Sequence, residues 1–301
     1  MIRKYFIFLL ISAAIATALY GCHVKGNPAL KILRLNDSTV NEIYRIQPYI
    51  INILAIDMLK KDENLPLIRE YIRWYLSHLN YSDTQVIGGT IYDYDIYYDG
   101  REVSLGTYDS VDGYAATFLV LIYQYFLKTG DKRLVNENKQ KIFDIAYLLI
   151  YLQDQDGLVR ARLDDNSKYL MDNSEVFAGL GAFIKLAELK GWTENIDNYK
   201  EAQNNAKIGI LNHLYNEQAE NFYWAMDNEG TGKYKADWNK FYPDALAQIF
   251  PILYGVIDKN SDLGKYLLSE FNRRYKSYKD NANLDIEQRI ILKTIEQEFS
   301  K

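Results

Sequence analysis

Long stretches without a single charge alternate along this chain with stretches that carry charge on one face only. Four uncharged runs of helical length occur at residues 46–56, 114–127, 176–184 and 245–257. Amphipathic stretches follow them at 65–79, 137–152, 197–214 and 262–278, and a last one at 285–299 closes the chain. A helix that is apolar all round must be buried on every side, whereas a one-faced helix covers it from outside. The order is therefore inner, outer, inner, outer, which predicts helical hairpins in two concentric layers: an all-α fold of the α/α-toroid type. Inner runs begin about every 60 to 70 residues, too far apart for solenoid repeats of roughly 34–45 residues. About nine helices make four and a half hairpins, where a full toroid has six, so the ring is either open or contains helices the periodicity does not reveal. Pro48 and Pro243 fall in first turns, where proline is tolerated, and Pro251 lies inside an apparent helix that it should kink.

Two segments do not read as helix. Residues 88–106, GGTIYDYDIYYDGREVSLG, alternate and carry an Asp99-Gly100 turn, the signature of a β-hairpin. Residues 221–239, NFYWAMDNEGTGKYKADWN, read as a second hairpin or a long loop with aromatic arms, and loops of that length in a compact domain are usually functional.

The N-terminus reads differently again. Arg3 and Lys4 precede an uncharged stretch at 5–21, the pattern of a secretory signal peptide over residues 1–21. Its apolar part is shorter than the roughly 20 residues a membrane span needs. Leu19-Tyr20-Gly21-Cys22 resembles the bacterial lipoprotein box, with Tyr20 larger than the usual residue. That resemblance implies cleavage before Cys22 and a lipid on it, a tether over 22–40, a domain over 41–301, and an exported protein anchored at the bacterial cell membrane surface. A simple signal peptide with a stray thiol is the alternative.

After that cleavage 33 basic residues face 40 acidic ones, a charge near −7, which argues against nucleic acid as a partner because phosphate binding needs a concentrated basic surface. A single cysteine allows no internal disulfide. Three histidines without metal-ligand spacing argue against a histidine zinc site, carboxylate-held calcium stays open, and nothing calls for a cofactor. Tyrosine is abundant, at 27 with 12 Phe and 4 Trp. Such rings cover sugar faces, line interfaces or fill a core, so those beside acids in loops are the ones to assign to a ligand.

Three inner runs share one kind of entrance: TYDSVDGYAA (107–116), YLMDNSEVFAG (169–179) and KFYPDALAQ (240–248). Each sets an aromatic ring beside carboxylates just ahead of an uncharged helix. Inner helices of a toroid point the same way, so Asp109, Asp112, Asp172, Glu175 and Asp244 should ring one mouth. Taken singly, Asp172 with Glu175 fits a capping box and Asp109 with Asp112 a shorter one. Taken together they suit glycoside hydrolysis, which needs one protonated carboxyl for the leaving oxygen and one ionised carboxyl for water or the sugar carbon, and neighbouring acids split their pKa values to provide both. Asp172 is expected to begin its helix and Glu175, one turn in, to face the cleft. Tyr92, Asp93, Tyr94 and Asp95 of the first hairpin, Tyr108, Tyr114, Tyr242, Trp224 and Trp238 are candidate walls of a saccharide groove, with Asp93 a reserve acid. Lys168 is either a partner for a carboxylate or a substrate acid group, or simply an exposed lysine.

With these residues in view, the chain resembles the six-hairpin glycosidase superfamily over residues 40–275. YDSVDGYAATFL is similar to the helix start of family 8 glycoside hydrolases, whose two aspartates stand two apart where Asp109 and Asp112 stand three apart. TVNEIYRIQPY (39–49) is distantly similar to that family's segment bearing the acid glutamate, which would map to Glu42, with Ile43 where the family has glycine. Together with the lipoprotein box at 19–22, the resemblance implies a surface lipoprotein that hydrolyses an exported or cell-surface polysaccharide by carboxylate acid/base chemistry. A non-catalytic glycan-binding or scaffold lipoprotein in exopolysaccharide assembly would use the same groove. A lyase or epimerase would need a Tyr or His base, and His78 and His213 fall on expected outer helices.

Overall fold

The computed structural model describes residues 26–37, 41–97, 99–227, 232–276, 278, 281 and 283–299; the expected signal segment 1–21 and Cys22 lie outside them. Its elements are helix α1 (Pro28–Asn36), strand β1 (Ile43–Ile46), helices α2 (Pro48–Met58) and α3 (Leu65–Ser77), strands β2 (Tyr94–Tyr97) and β3 (Glu102–Ser104), helices α4 (Asp112–Thr129), α5 (Lys132–Glu137) and α6 (Lys139–Tyr151), strand β4 (Lys168–Tyr169), helices α7 (Leu170–Lys190) and α8 (Ile196–Gly209), strands β5 (Tyr215–Asn216), β6 (Asn221–Phe222), β7 (Ala225–Met226) and β8 (Lys233–Tyr234), and helices α9 (Phe250–Leu253), α10 (Asp262–Tyr275) and α11 (Ile286–Phe299). The fold is mostly helical, built of hairpin-like helix pairs in the manner of an α/α toroid.

The two longest uncharged runs make the centre. Helices α4 and α7 bury nearly every position of their first three turns, and both stop at a glycine in the left-handed region, Gly130 and Gly191, where other residues are strained. Between them the backbones touch, since a Cβ on Gly179 would stand 2.7 Å from the Ala116 Cα. Helix α2 packs on the other side of α4. Its one buried amide, Asn52, donates to Thr117 Oγ1 at 3.0 Å and accepts the Tyr71 hydroxyl at 2.8 Å, so one side chain fastens α2 to α4 and to α3.

Helix α11 closes the ring. It returns to α2, burying Ile290, Ile291 and Ile295, and Lys293 Nζ lies 2.6 Å from Asp57 Oδ2. Residues 28–36, counted with the tether by sequence, form α1, whose Ala29, Leu30 and Ile32 join the core. The expected helix over 245–257 is broken: a π-helical turn, Phe241–Ala245, is followed by the short α9, with Pro251 in its first turn and not mid-helix.

The expected hairpin over 88–106 is present as β2 and β3, and β1 adds a third antiparallel strand, with Ile46 opposite Tyr94. Within 221–239, β7 pairs with β8 and with β4. Strands β1 and β4 run straight into α2 and α7, so both three-stranded sheets stand at the N-terminal ends of inner helices.

Candidate functional site

Two cavities lie along the ring, at opposite ends of the inner helices. The first, about 340 Å³, takes first-turn or entrance residues from every inner segment: Tyr49 of α2, Asp109, Ser110 and Tyr114 around the start of α4, Met171 and Asp172 of α7, Tyr242 and Pro243 of the π-helical turn, and Glu287 of α11. The second, about 730 Å³, takes residues further along the same segments, among them Ile53 and Ile56, Val120 and Tyr123, Phe177 and Gly181, Leu253 and Tyr254, Ile290 and Thr294. The inner segments therefore run parallel, and their entrances meet at one mouth.

That convergence sorts the expected acids. Asp109 and Asp172 line the mouth. Asp112 is fully buried beneath it, its Oδ1 accepting the Gly113 amide at 2.8 Å. Glu175 is buried as well, its Oε1 accepting the hydroxyls of Tyr49 at 2.9 Å and Tyr254 at 3.0 Å. The expected split on α7 is reversed, because the helix starts earlier than its uncharged run: with Leu170 as its first residue, Asp172 is already inside the first turn and faces the cavity, and Glu175 turns into the core. Neither capping box forms. Tyr169 and Val111 precede α7 and α4 without capping through their side chains, and Ser110 takes the Gly113 amide at 3.1 Å. Asp244 lies off the mouth, its Oδ1 accepting the Asp237 amide at 2.8 Å and so pinning the loop before the π-helical turn.

Among the expected walls, Tyr114, Trp224 and Tyr242 line the mouth. Trp224 stacks on Tyr169 at 6.3 Å, held there by the Leu170 amide donating to the Trp224 carbonyl at 2.9 Å. The others serve the scaffold. Tyr108 donates to Asp83 at 2.9 Å and stacks on Tyr92, whose hydroxyl accepts the Thr84 amide. Asp93 is buried and accepts the Tyr114 hydroxyl at 2.8 Å. Trp238 lies under the Arg274 guanidinium. Lys168 is neither exposed nor at the mouth: it is buried between Asp154 at 2.9 Å and Asp156 at 2.6 Å. Glu42, the family 8 mapping, is exposed ahead of β1 and does not line the cavity.

Glu287, Tyr49, Tyr169 and Met171 are site residues that the sequence reading missed. Glu287 sits on a helix whose charged positions look like a solvent face, and only ring closure turns its first turn inward. Tyr49 opens an uncharged run and reads as core.

Burial dominates the electrostatics of the mouth. It pushes the Glu287 carboxyl up to about 7, helped by Asp285 and Asp109. Burial, and then Asp112, Asp109 and Glu287, raise Asp172 far above the ordinary range, with the Asp112 carboxyl close enough to act on it directly. Burial raises Asp112 and Glu175 too, each also repelled by a neighbouring carboxylate. Asp93, under the Tyr114 hydroxyl, is pushed by burial up to about 6. The oxygens of Asp109 and Glu287 accept from no donor among the described residues and are open to the cavity. Such a mouth can hold protonated and ionised carboxyls side by side at neutral pH, between aromatic walls.

No protein-family model matches the chain, and no curated protein sequence does. Among solved structures, a rhamnosidase from Klebsiella oxytoca, with rhamnose bound, aligns at TM-score 0.60 and 13% identity over 84% of this chain and 46% of its own. A GH78 family rhamnosidase of Bacillus sp. GL1 aligns at TM-score 0.46 and 14% identity over 68% of this chain and 23% of its own. This chain thus spans under half the length of either protein. At that identity the likeness is one of fold: the helical-hairpin toroid is shared distantly with a rhamnosidase, and the family 8 assignment does not stand.

Proposed function

We propose that this protein is a glycoside hydrolase of the cell surface, exported and lipid-anchored through Cys22, that cleaves an exported or cell-surface saccharide by carboxylate acid/base catalysis. One observation carries the reading: Asp109, Asp172 and Glu287, from three different inner segments, meet in one aromatic-walled cavity with their carboxyls uncommitted to helix capping. At about 340 Å³ the cavity lies at the small end of the usual range for ligand sites, about 300–1,000 Å³. It suits one or two sugar rings packed on Trp224, Tyr169 and Tyr242. Asp172 and Glu287, both held toward the protonated form, supply the candidates for the acid, and Asp109 at the exposed rim is the candidate base. The acid gives its proton to the leaving oxygen as the C–O bond breaks. The base takes a proton from the attacking water, whose oxygen bonds to the sugar carbon, and both groups then return to their starting states by exchange with solvent.

The test is cleavage of a panel of polysaccharides and aryl glycosides, rhamnosides included, by wild type and by Asp109→Asn, Asp172→Asn and Glu287→Gln. Losses of about 10²–10⁴-fold are expected for the acid and the base. No cleavage of any substrate by the wild type, together with measurable binding to one of them, would replace this reading by the glycan-binding or scaffold one. That alternative draws on Asp112, Glu175 and Asp244, each of which has one carboxyl oxygen committed to an internal hydrogen bond. Detergent-phase partitioning of the full chain, lost in Cys22→Ser, tests the anchor.

A further inference from the structure

Beneath the floor of the acid mouth, three carboxyls lie together on facing turns of α4 and α7: Asp112, Asp172 and Glu175. Asp172 reaches the cavity, while Asp112 and Glu175 are 0% and 1% exposed. Asp112 Oδ1 has the Gly113 amide, and Glu175 Oε1 has the two tyrosine hydroxyls. The other two oxygens, Asp112 Oδ2 and Glu175 Oε2, are buried without a donor among the described residues. Gly113 lies against this array, since a Cβ there would stand 2.8 Å from Ser110 Oγ and in ordinary contact, 3.6 Å, with Glu175 Oε2.

The groups that face this array are Tyr49 from α2, Tyr254 beyond α9, Glu287 from α11 and Asp109 from the entrance to α4. The strongest neighbouring charges are all carboxylates, with no lysine or arginine among them. Three anions cannot be buried together without a cation or donors for their free oxygens. The Ser110 hydroxyl acts on Asp112 from the entrance turn, and for the two oxygens left without a partner the donors available are protons on the carboxyls themselves.

We propose that Asp112 is a positioning residue that shares one proton with Asp172 and so presents Asp172 to the mouth as a proton donor. When Asp172 passes that proton to the leaving oxygen, two facing carboxylates remain without a neighbouring cation, and their repulsion draws a proton back from solvent through the cavity. Burial beneath them drives Glu175 toward its neutral form, which keeps further charge away from the pair. The donor role rests on the reading of the mouth as a site of glycoside cleavage; the shared proton does not.

The experiment is a carboxyl ¹³C NMR titration of the full chain, labelled at Asp and Glu, from pH 4 to 9, with Asp172→Asn to assign the Asp172 signal. In the wild type, carboxyl signals of the pair are expected to titrate above pH 6. In Asp112→Asn the amide donates to Asp172 in place of the shared proton, and the remaining signal should move down by about one pH unit or more. The alkaline limb of kcat/KM should move with it, a loss of about tenfold on that limb that a purely structural role for Asp112 would not produce. Wild-type carboxyls that all titrate below pH 6 would overturn the proposal, whether or not the variant folds. So would an Asp172 signal and an alkaline limb left in place by Asp112→Asn. A pair that titrates as expected in a protein that cleaves no glycoside would keep the shared proton and remove the catalytic reading of the mouth.

Discussion

Single carboxyls in this protein differ in use according to the donors that the chain folds onto them. Glu102 gathers three: the Trp74 indole at 3.0 Å, the Asn27 amide at 2.9 Å and His78 at 3.2 Å. Those bonds, His78 first, lower it from 4.5 to about 2. A folded value below the unfolded one means stabilisation that is complete above about pH 4.5 and is lost as pH falls toward 2. Glu102→Gln should therefore lower the unfolding free energy at pH 7 by roughly 1 kcal/mol, the pairing being screened by solvent at this exposed residue. The gap to wild type should close near pH 2, in matched urea melts at the two pH values. Glu175 is the opposite case, raised by burial and held by Tyr49 and Tyr254. Removing either hydroxyl, in Tyr49→Phe or Tyr254→Phe, withdraws a donor from a buried acid and should cost about 1 kcal/mol each. Only Tyr49→Phe, whose ring lines the mouth, should also change the affinity for a saccharide, measured by calorimetry.

At the level of elements, the close approach of α4 and α7 fixes the spacing of the mouth. Gly179 has backbone against it, with the Ala116 Cα and carbonyl oxygen 2.7 and 2.8 Å from where a Cβ would stand. Gly179→Ala should force the helices apart and destabilise by about 1–3 kcal/mol. Gly181→Ala meets only the end of the Gln203 side chain, which can swing away, so its loss should be smaller in the same melts. These helices were legible in the sequence because burial on all sides leaves no room for charge, and the uncharged runs over 114–127 and 176–184 fall within α4 and α7. Their starts were not. Asp112 and Asp172 belong to first turns whose acids are held by packing across the ring, which no local periodicity records. The helix expected over 245–257 failed for a related reason: an uncharged run shows burial but not backbone continuity, and here a π-helical turn and Pro251 divide it. Lys168 shows the limit from the other side, because a lone lysine gives no sign that Asp154 and Asp156 will fold around it.

For the whole molecule, the decisive contact is the one between the last helix and the first inner one. Helix α11 has a charged face and reads as an outer covering, yet it seats Ile290, Ile291 and Ile295 inside the ring and brings Glu287 to the mouth. Its polar anchor to α2 is Asp57, which lies 2.6 Å from Lys293 and 2.7 Å from Lys60. Both lysines are about half exposed, so the pairs contribute little singly, about 0–1 kcal/mol each, and the apolar residues carry the closure. Ending the chain at residue 285 should therefore do two things at once: expose the inner face of α2, lowering the melting temperature, and abolish saccharide binding by removing one wall of the mouth. Glu287→Gln separates the two effects. It keeps the helix and the wall, so the melting temperature should stay within a degree or two of wild type while turnover falls. If the truncated chain bound saccharide as tightly as the full one, α11 would be packing alone and the mouth would be built from four inner segments. Undiminished turnover in Glu287→Gln, with the fold intact, would leave α11 its place in the ring and confine the acid role to Asp172.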